Sequence, residues 1–101
     1  MISIYVTCKD RDEAIKIIRR LLEKKVIACA NFFPIESMYW WKDEINYDKE
    51  IAIIMKTKND KFKEVENEIK KIHSYKIPCI CSWDVKQTNE DYLKWVKEEV
   101  K

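Results

Sequence analysis

Three patterns predict an α+β domain in which an antiparallel sheet carries helices on one face. Two runs rich in strand-forming residues, Val26 to Ile35 with Ser37 to Trp41 and then Ile45 to Thr57, are separated only by Lys42-Asp43-Glu44, which reads as one long central β-hairpin. Apolar residues recur at helical spacing before and after that hairpin, and strand-like alternation opens and closes the set. The resulting order is strand, helix, strand, strand, helix, strand, with an extra C-terminal helix. That is a ferredoxin-like split βαβ arrangement, carried by a single domain over residues 1–101.

Each element has its own signal. Ile2, Ile4 and Val6 alternate with Ser3, Tyr5 and Thr7, as in a strand with one buried face. Asp10 with Glu13 forms a capping-box pattern, and Ala14, Ile17, Ile18, Leu21 and Leu22 then define the apolar side of a helix from about Arg11 to Lys25. After the hairpin, Asn59-Asp60 offers an N-cap to a second helix that carries Phe62, Val65, Ile69 and Ile72 and ends near His73. Ile77, Cys79, Cys81, Trp83 and Val85 alternate through a last strand, with Pro78 near its start, where sheets tolerate proline. Thr88 with Asp91 caps a third helix whose apolar side is Tyr92, Leu93, Trp95, Val96 and Val100.

The return arm of the hairpin is apolar on both faces, because Ile51, Ala52, Ile53, Ile54 and Met55 run consecutively. So short a chain supplies helices for only one of those faces, so other copies of the chain are expected on the second.

Composition narrows the function. Lys plus Arg number 20 and Asp plus Glu 18, and the signs are interspersed rather than gathered into a basic stripe, which argues against nucleic-acid binding. No apolar run approaches the ~20 residues of a membrane span. Nothing at the start resembles a secretion signal, so the four cysteines are expected as reduced thiols in a cytoplasmic protein. Glycine is absent, which excludes the Gly-rich phosphate loops of P-loop and dinucleotide-binding proteins.

Cys79 and Cys81 sit two apart on a strand, so their side chains share a face at Cα atoms ~6.5–7 Å apart. They read either as two ligands of one soft metal ion or as buried, inert thiols. His73, the only histidine, reads either as a copper or zinc ligand or as a helix-end residue interacting with the last carbonyls. Cys29, in an apolar strand, reads as a packing thiol or a further ligand. No nucleophile stands beside a base in a recognisable spacing, so no enzymatic activity is expected.

Taken jointly, Ala28-Cys29-Ala30-Asn31 with Pro34, Ser37-x-Tyr39-x-Trp41, Glu50, Lys56-Thr57, His73-x-Tyr75-x-x-Pro78 and Tyr92-Leu93-x-Trp95 resemble the CutA divalent-cation-tolerance family. The resemblance runs from about residue 4 to residue 97. It implies a ferredoxin-like subunit assembled as a tight homotrimer, an architecture similar to the PII signalling proteins, and a link to tolerance of copper and other divalent ions. The positions that carry over are Cys29, Asn31, Tyr39, Trp41, Lys56, His73, Tyr75, Pro78, Tyr92 and Trp95. Three residues depart from the family pattern: Ser74 and Cys79 stand where proline and glutamate are usual, and Asp43 stands where glycine is favoured at the hairpin tip.

The expected function is therefore metal-ion tolerance without catalysis. The expected metal ligands are His73, Cys79, Cys81 and Cys29, for copper or another divalent cation, and no cofactor is required. The alternative is a PII-like signalling or scaffolding trimer that binds a small molecule or a protein in clefts between subunits, lined by Asn31, Tyr39, Trp41, Lys56 and Tyr75.

Overall fold

The computed structural model describes residues 1–101. In order, the elements are β1 (Ile2–Cys8), α1 (Arg11–Glu23), β2 (Cys29–Trp41), β3 (Glu44–Thr57), a 3-10 turn (Asn59–Lys61), α2 (Phe62–Ile72), β4 (Ile80–Asp84) and α3 (Glu90–Glu99). The four strands form one sheet in the order β2-β3-β1-β4, and every neighbouring pair is antiparallel. Alternation along β1 sends Ile2, Ile4, Val6 and Cys8 to one face, where Ile53 and Met55 of β3 meet Ala14, Ile17, Ile18 and Leu21 of α1 and Val65 and Ile69 of α2. This is the main core. Each aliphatic side chain fully buried there stabilises the fold by roughly 1.5–3 kcal/mol.

Helix α1 begins as its sequence predicts: the Glu13 backbone N–H donates to Asp10 Oδ1 at 2.8 Å. The reciprocal half differs, since Glu13 Oε1 accepts from the backbone of Lys9 rather than from Asp10. At the other end the Lys25 N–H donates to the Leu22 carbonyl and the Val26 N–H to the Leu21 carbonyl, the paired bonds of a Schellman motif. Lys25 holds the left-handed position of that motif at φ 58. Val26 and Leu21 both lie in the core, so the motif's apolar contact is made as well.

Three element boundaries differ from expectation. Val26 to Ala28 form a buried connector and β2 starts only at Cys29. Asn59-Asp60 lies inside the 3-10 turn that opens α2, and neither α2 nor α3 has a side-chain cap. β4 begins at Ile80 because its pairing with β1 stops at Val6↔Ile80, leaving Ile77 and Cys79 in the approach to the strand.

The hairpin turns on two residues, Lys42 and Asp43, both at positive φ (50 and 62), the conformation of a type I′ turn. Pairing of β1 with β3 covers only Ile51 to Thr57. From Ile35↔Glu50 to Trp41↔Glu44 the two hairpin strands have only each other, an overhang about 24 Å long at ~3.4 Å per residue. On its helix side Met38, Trp40 and Ile45 are 73, 72 and 62% exposed. The expectation that the return arm is apolar on both faces holds in part: Ile53 and Met55 point into the core, Ala52 is buried on the opposite face, and Ile54 there is half-buried. Helix α3 packs Val96 and Val100 against Ala28 and Met1.

Candidate functional site

The sheet face turned away from α1 and α2 is the open face, and the strand registers decide what it carries. Register across β2, β3, β1 and β4 sets Asn31, Ile54, Tyr5 and Cys81 in one row and Cys29, Lys56, Ser3 and Trp83 in the next. Tyr39, Trp41, Asp48 and Glu50 continue the same face along the hairpin overhang.

The segment between α2 and β4 is fixed by backbone-directed bonds. His73 Nδ1 accepts from the Tyr75 backbone N–H at 3.0 Å, which leaves the ring proton on Nε2 to donate to the Thr7 carbonyl at 2.8 Å. Buried Glu13 accepts from the Ser74 N–H at 2.8 Å with its other oxygen. Burial alone would push the Glu13 carboxyl up, but the Ser74 and Lys9 hydrogen bonds and the nearby His73 outweigh it and hold it below its ordinary value. The Tyr75 hydroxyl then donates to Glu50 Oε2 at 2.6 Å, tying this segment to the hairpin. Burial, followed by that bond to Glu50, raises the Tyr75 phenol well above the usual tyrosine range.

Between the hairpin and this segment lies a cavity of about 750 Å³, lined by Tyr39, Trp41 and Tyr75 together with Glu50, Lys76 and Cys79. The expected cleft residues divide. Tyr39, Trp41 and Tyr75 come together here, whereas Asn31 and Lys56 sit at the far end of the open face, where Lys56 Nζ donates to Asn31 Oδ1 at 3.2 Å.

The expected metal ligands divide as well. Cys79 and Cys81 are both exposed free thiols rather than buried ones. Burial of its sulfur and then the neighbouring Cys81 raise the Cys79 thiol, so it is protonated near neutral pH. Cys29 belongs to the opposite edge strand, two strands removed from β4 by β3 and β1, and is hydrogen-bonded to the Tyr92 hydroxyl at 2.8 Å. His73 has both ring nitrogens engaged, one of them with the Thr7 carbonyl in place of the expected helix-end carbonyls. No three His, Cys, Asp or Glu side chains of one chain converge as a metal-holding group. The fourth thiol, Cys8, is buried in the core and pushed up to about 11 by that burial and then by Glu13, the reverse of what a nucleophilic cysteine needs.

Two central residues were absent from the expected site. Glu50 accepts from the Tyr75 phenol and its charge acts on Cys79, and Glu13 anchors the segment that carries Ser74. A two-residue turn would have revealed Glu50, since it fixes Ile35↔Glu50 and so places Glu50 on the face of Tyr39 and Trp41. Nothing local marks Glu13, whose partner Ser74 lies 61 positions away.

Fold and face together define a small α+β protein whose thiols, phenols and one central carboxylate gather on the uncovered side of an antiparallel sheet. The family described as CutA1 divalent ion tolerance protein matches residues 2–99, and the chain belongs to that family. It is 45% identical to the divalent-cation tolerance protein CutA of Archaeoglobus fulgidus over 96% of this chain and 95% of that one. Identity to the protein of the same name from Pyrococcus horikoshii is 44%, over 100% and 99% of the two chains. Among solved structures, CutA from Archaeoglobus fulgidus, described as a periplasmic divalent cation tolerance protein, superposes with a TM-score of 0.98 at 44% identity and full coverage of both chains. CutA1 from Pyrococcus horikoshii gives a TM-score of 0.96 at 44% identity, covering 100% of this chain and 99% of that one. No helix of the chain is long and apolar enough to cross a membrane.

Proposed function

We propose that the chain acts as a cytoplasmic homotrimer, ferredoxin-like in each subunit and PII-like in assembly, that binds copper and other divalent ions and catalyses no reaction. The observation that carries this reading is the pair of exposed thiols, Cys81 on the edge strand β4 and Cys79 in the approach to it, in a member of a divalent-ion tolerance family. Thiolates favour soft and borderline ions. Because one chain offers only this pair, further ligands come from a neighbouring subunit. Cys29 joins by that route, and His73 joins only by releasing one of its two hydrogen bonds.

A metal ion must displace the proton that Cys79 holds, so affinity should rise with pH. Calorimetric titration with zinc(II) and, under anaerobic reduction, with copper(I) tests the reading. Cys79→Ser and Cys81→Ser should each weaken binding by at least about tenfold and leave assembly intact. Unchanged affinity in both variants would discard the thiol site.

The second reading is a PII-like signalling or scaffolding trimer with a small molecule in an intersubunit cleft. It is favoured by the cavity that gathers Tyr39, Trp41 and Tyr75 within one chain. Asn31 and Lys56 would complete such a cleft from the neighbouring subunit.

A further inference from the structure

At the end of the sheet opposite the hairpin turn, a cavity of about 290 Å³ opens between α3 and the chain that leaves β3, at the small end of the usual range for ligand sites. Its lining is Met1, Lys58, Asn59, Leu93, Val96 and Lys97. Val96 is fully buried, Met1 packs against the cluster that holds it, and Leu93 beside them is half-buried, so the cavity has an apolar floor. Its charge is of one sign only. Lys58 is half-buried and Lys97 exposed, no carboxylate lines the cavity, and none of the seven ion pairs of the chain involves either lysine. Glu90 and Glu98 line a separate groove along α3 that Lys97 also borders, and neither pairs with it. The surfaces expected to be covered on assembly are the hairpin overhang and the open face, and the cavity takes no residue from either. On α3 itself Tyr92 reaches the open face through Cys29, whereas Leu93 and Lys97 follow it by about 100° and 140° round the helix, on another flank. The cavity therefore remains accessible when those surfaces are covered.

From this arrangement we propose that the cavity beside α3 binds a small organic carboxylate, an anionic group carried on a short hydrocarbon body. The carboxylate lies between the Lys58 and Lys97 ammoniums, and the hydrocarbon covers Leu93, Val96 and Met1. Exposed ammoniums gain little from an ion pair in water, so the hydrocarbon supplies most of the affinity and the lysines supply the choice of sign. A bare inorganic anion leaves the apolar floor uncovered, and an organic cation meets two like charges. The cavity holds neither the thiols nor any residue of the intersubunit cleft, so this inference stands apart from both readings above.

The test uses the full-length protein in its assembled state and four ligands: hexanoate, hexanamide, hexylammonium and inorganic phosphate. Each is titrated at constant ionic strength while the methyl resonances of Leu93 and Val96 are followed by NMR. Hexanoate should shift both sets saturably at millimolar concentration, with hexanamide weaker by at least about fivefold and hexylammonium and phosphate weaker still. Lys58→Gln and Lys97→Gln lie outside the core, and each should weaken hexanoate by about threefold, their combination by about tenfold. Lys94→Gln, in the neighbouring groove alone, should leave hexanoate binding unchanged. Hexanamide or hexylammonium binding as tightly as hexanoate, a doubly substituted protein that binds hexanoate as well as the parent, or a Lys94→Gln variant weakened as much as Lys97→Gln would overturn the anionic class. Phosphate binding as tightly as hexanoate would overturn the hydrocarbon body, and the absence of any saturable shift with hexanoate would overturn the site itself. Each of these outcomes leaves the metal titrations of Cys79 and Cys81 untouched, so the two can fail separately.

Discussion

Lys25 holds the backbone position at the end of α1 that glycine commonly fills, because a left-handed residue there lets its own N–H and that of Val26 reach back to the last helical carbonyls. A Cβ at that φ is crowded against the neighbouring carbonyl. With no glycine anywhere, the chain meets this cost three times, at Lys25, Lys42 and Asp43. Lys25 is exposed and forms no ion pair, so its side chain offers little in return. Lys25→Gly should therefore raise stability by about 1 kcal/mol, the steric relief offset in part by the greater freedom glycine gives the unfolded chain. Urea unfolding of parent and variant checks the sign. A loss of stability would mean that the left-handed position carries no strain.

At the scale of elements, buried Glu13 joins the first turn of α1 to the segment between α2 and β4, accepting from Lys9 and Ser74 with one oxygen each. Its carboxyl lies below its ordinary value in the fold, so its contribution is complete above the unfolded glutamate value near 4.3 and is lost as pH falls through the lower folded one. Glu13→Gln puts an amide donor against a backbone N–H and should cost about 1–3 kcal/mol at neutral pH. The gap between parent and variant melting temperatures should then stay constant above the unfolded glutamate value near 4.3 and narrow as pH falls below it, and a gap that stays constant into acid would remove the carboxylate from the account. No sequence pattern announces this tie, because its partners come from distant elements. Helix α1, by contrast, was legible from Asp10 and the spacing of Ala14 to Leu21, where local chemistry and core burial agree. The hairpin lies between these cases. Its existence followed from two β-rich runs, but Lys42-Asp43-Glu44 taken as a three-residue connection leaves the register open, and a slip of one position decides which side chains meet Glu50. The same local reading put Cys79 and Cys81 on one face of the last strand, although β4 starts only at Ile80, and it left open whether that face is covered, which depends on assembly.

Assembly is the question for the whole molecule, which measures 45 × 26 × 21 Å and owes its length to the hairpin overhang. A two-stranded ribbon with no layer beneath it is marginal in water, and this one exposes Met38, Trp40 and Ile45 on one side and Tyr39 and Trp41 on the other. Closure into a homotrimer would cover that ribbon and the open face together, and a species of three times the 12.3 kDa of one chain is the expected result of light scattering. Ile53 is a poor residue for probing the contact: it lies fully buried among α1 and α2, so an aspartate there would unfold the subunit itself. Phe33 is the better probe, since it lies on the open face beside Ala52, is 41% exposed in one chain, and leaves the helical core untouched when replaced. Phe33→Asp should place an unpaired carboxylate in the subunit contact, at a cost of several kcal/mol, and release folded single chains. In those chains the amides of Ile35 to Trp41 should exchange with solvent much faster than in the parent, while those of Ile4, Val6 and Ile17 in the core keep their protection. A parent protein that is already a single chain at micromolar concentration, with a protected overhang, would show that the hairpin stands without neighbours.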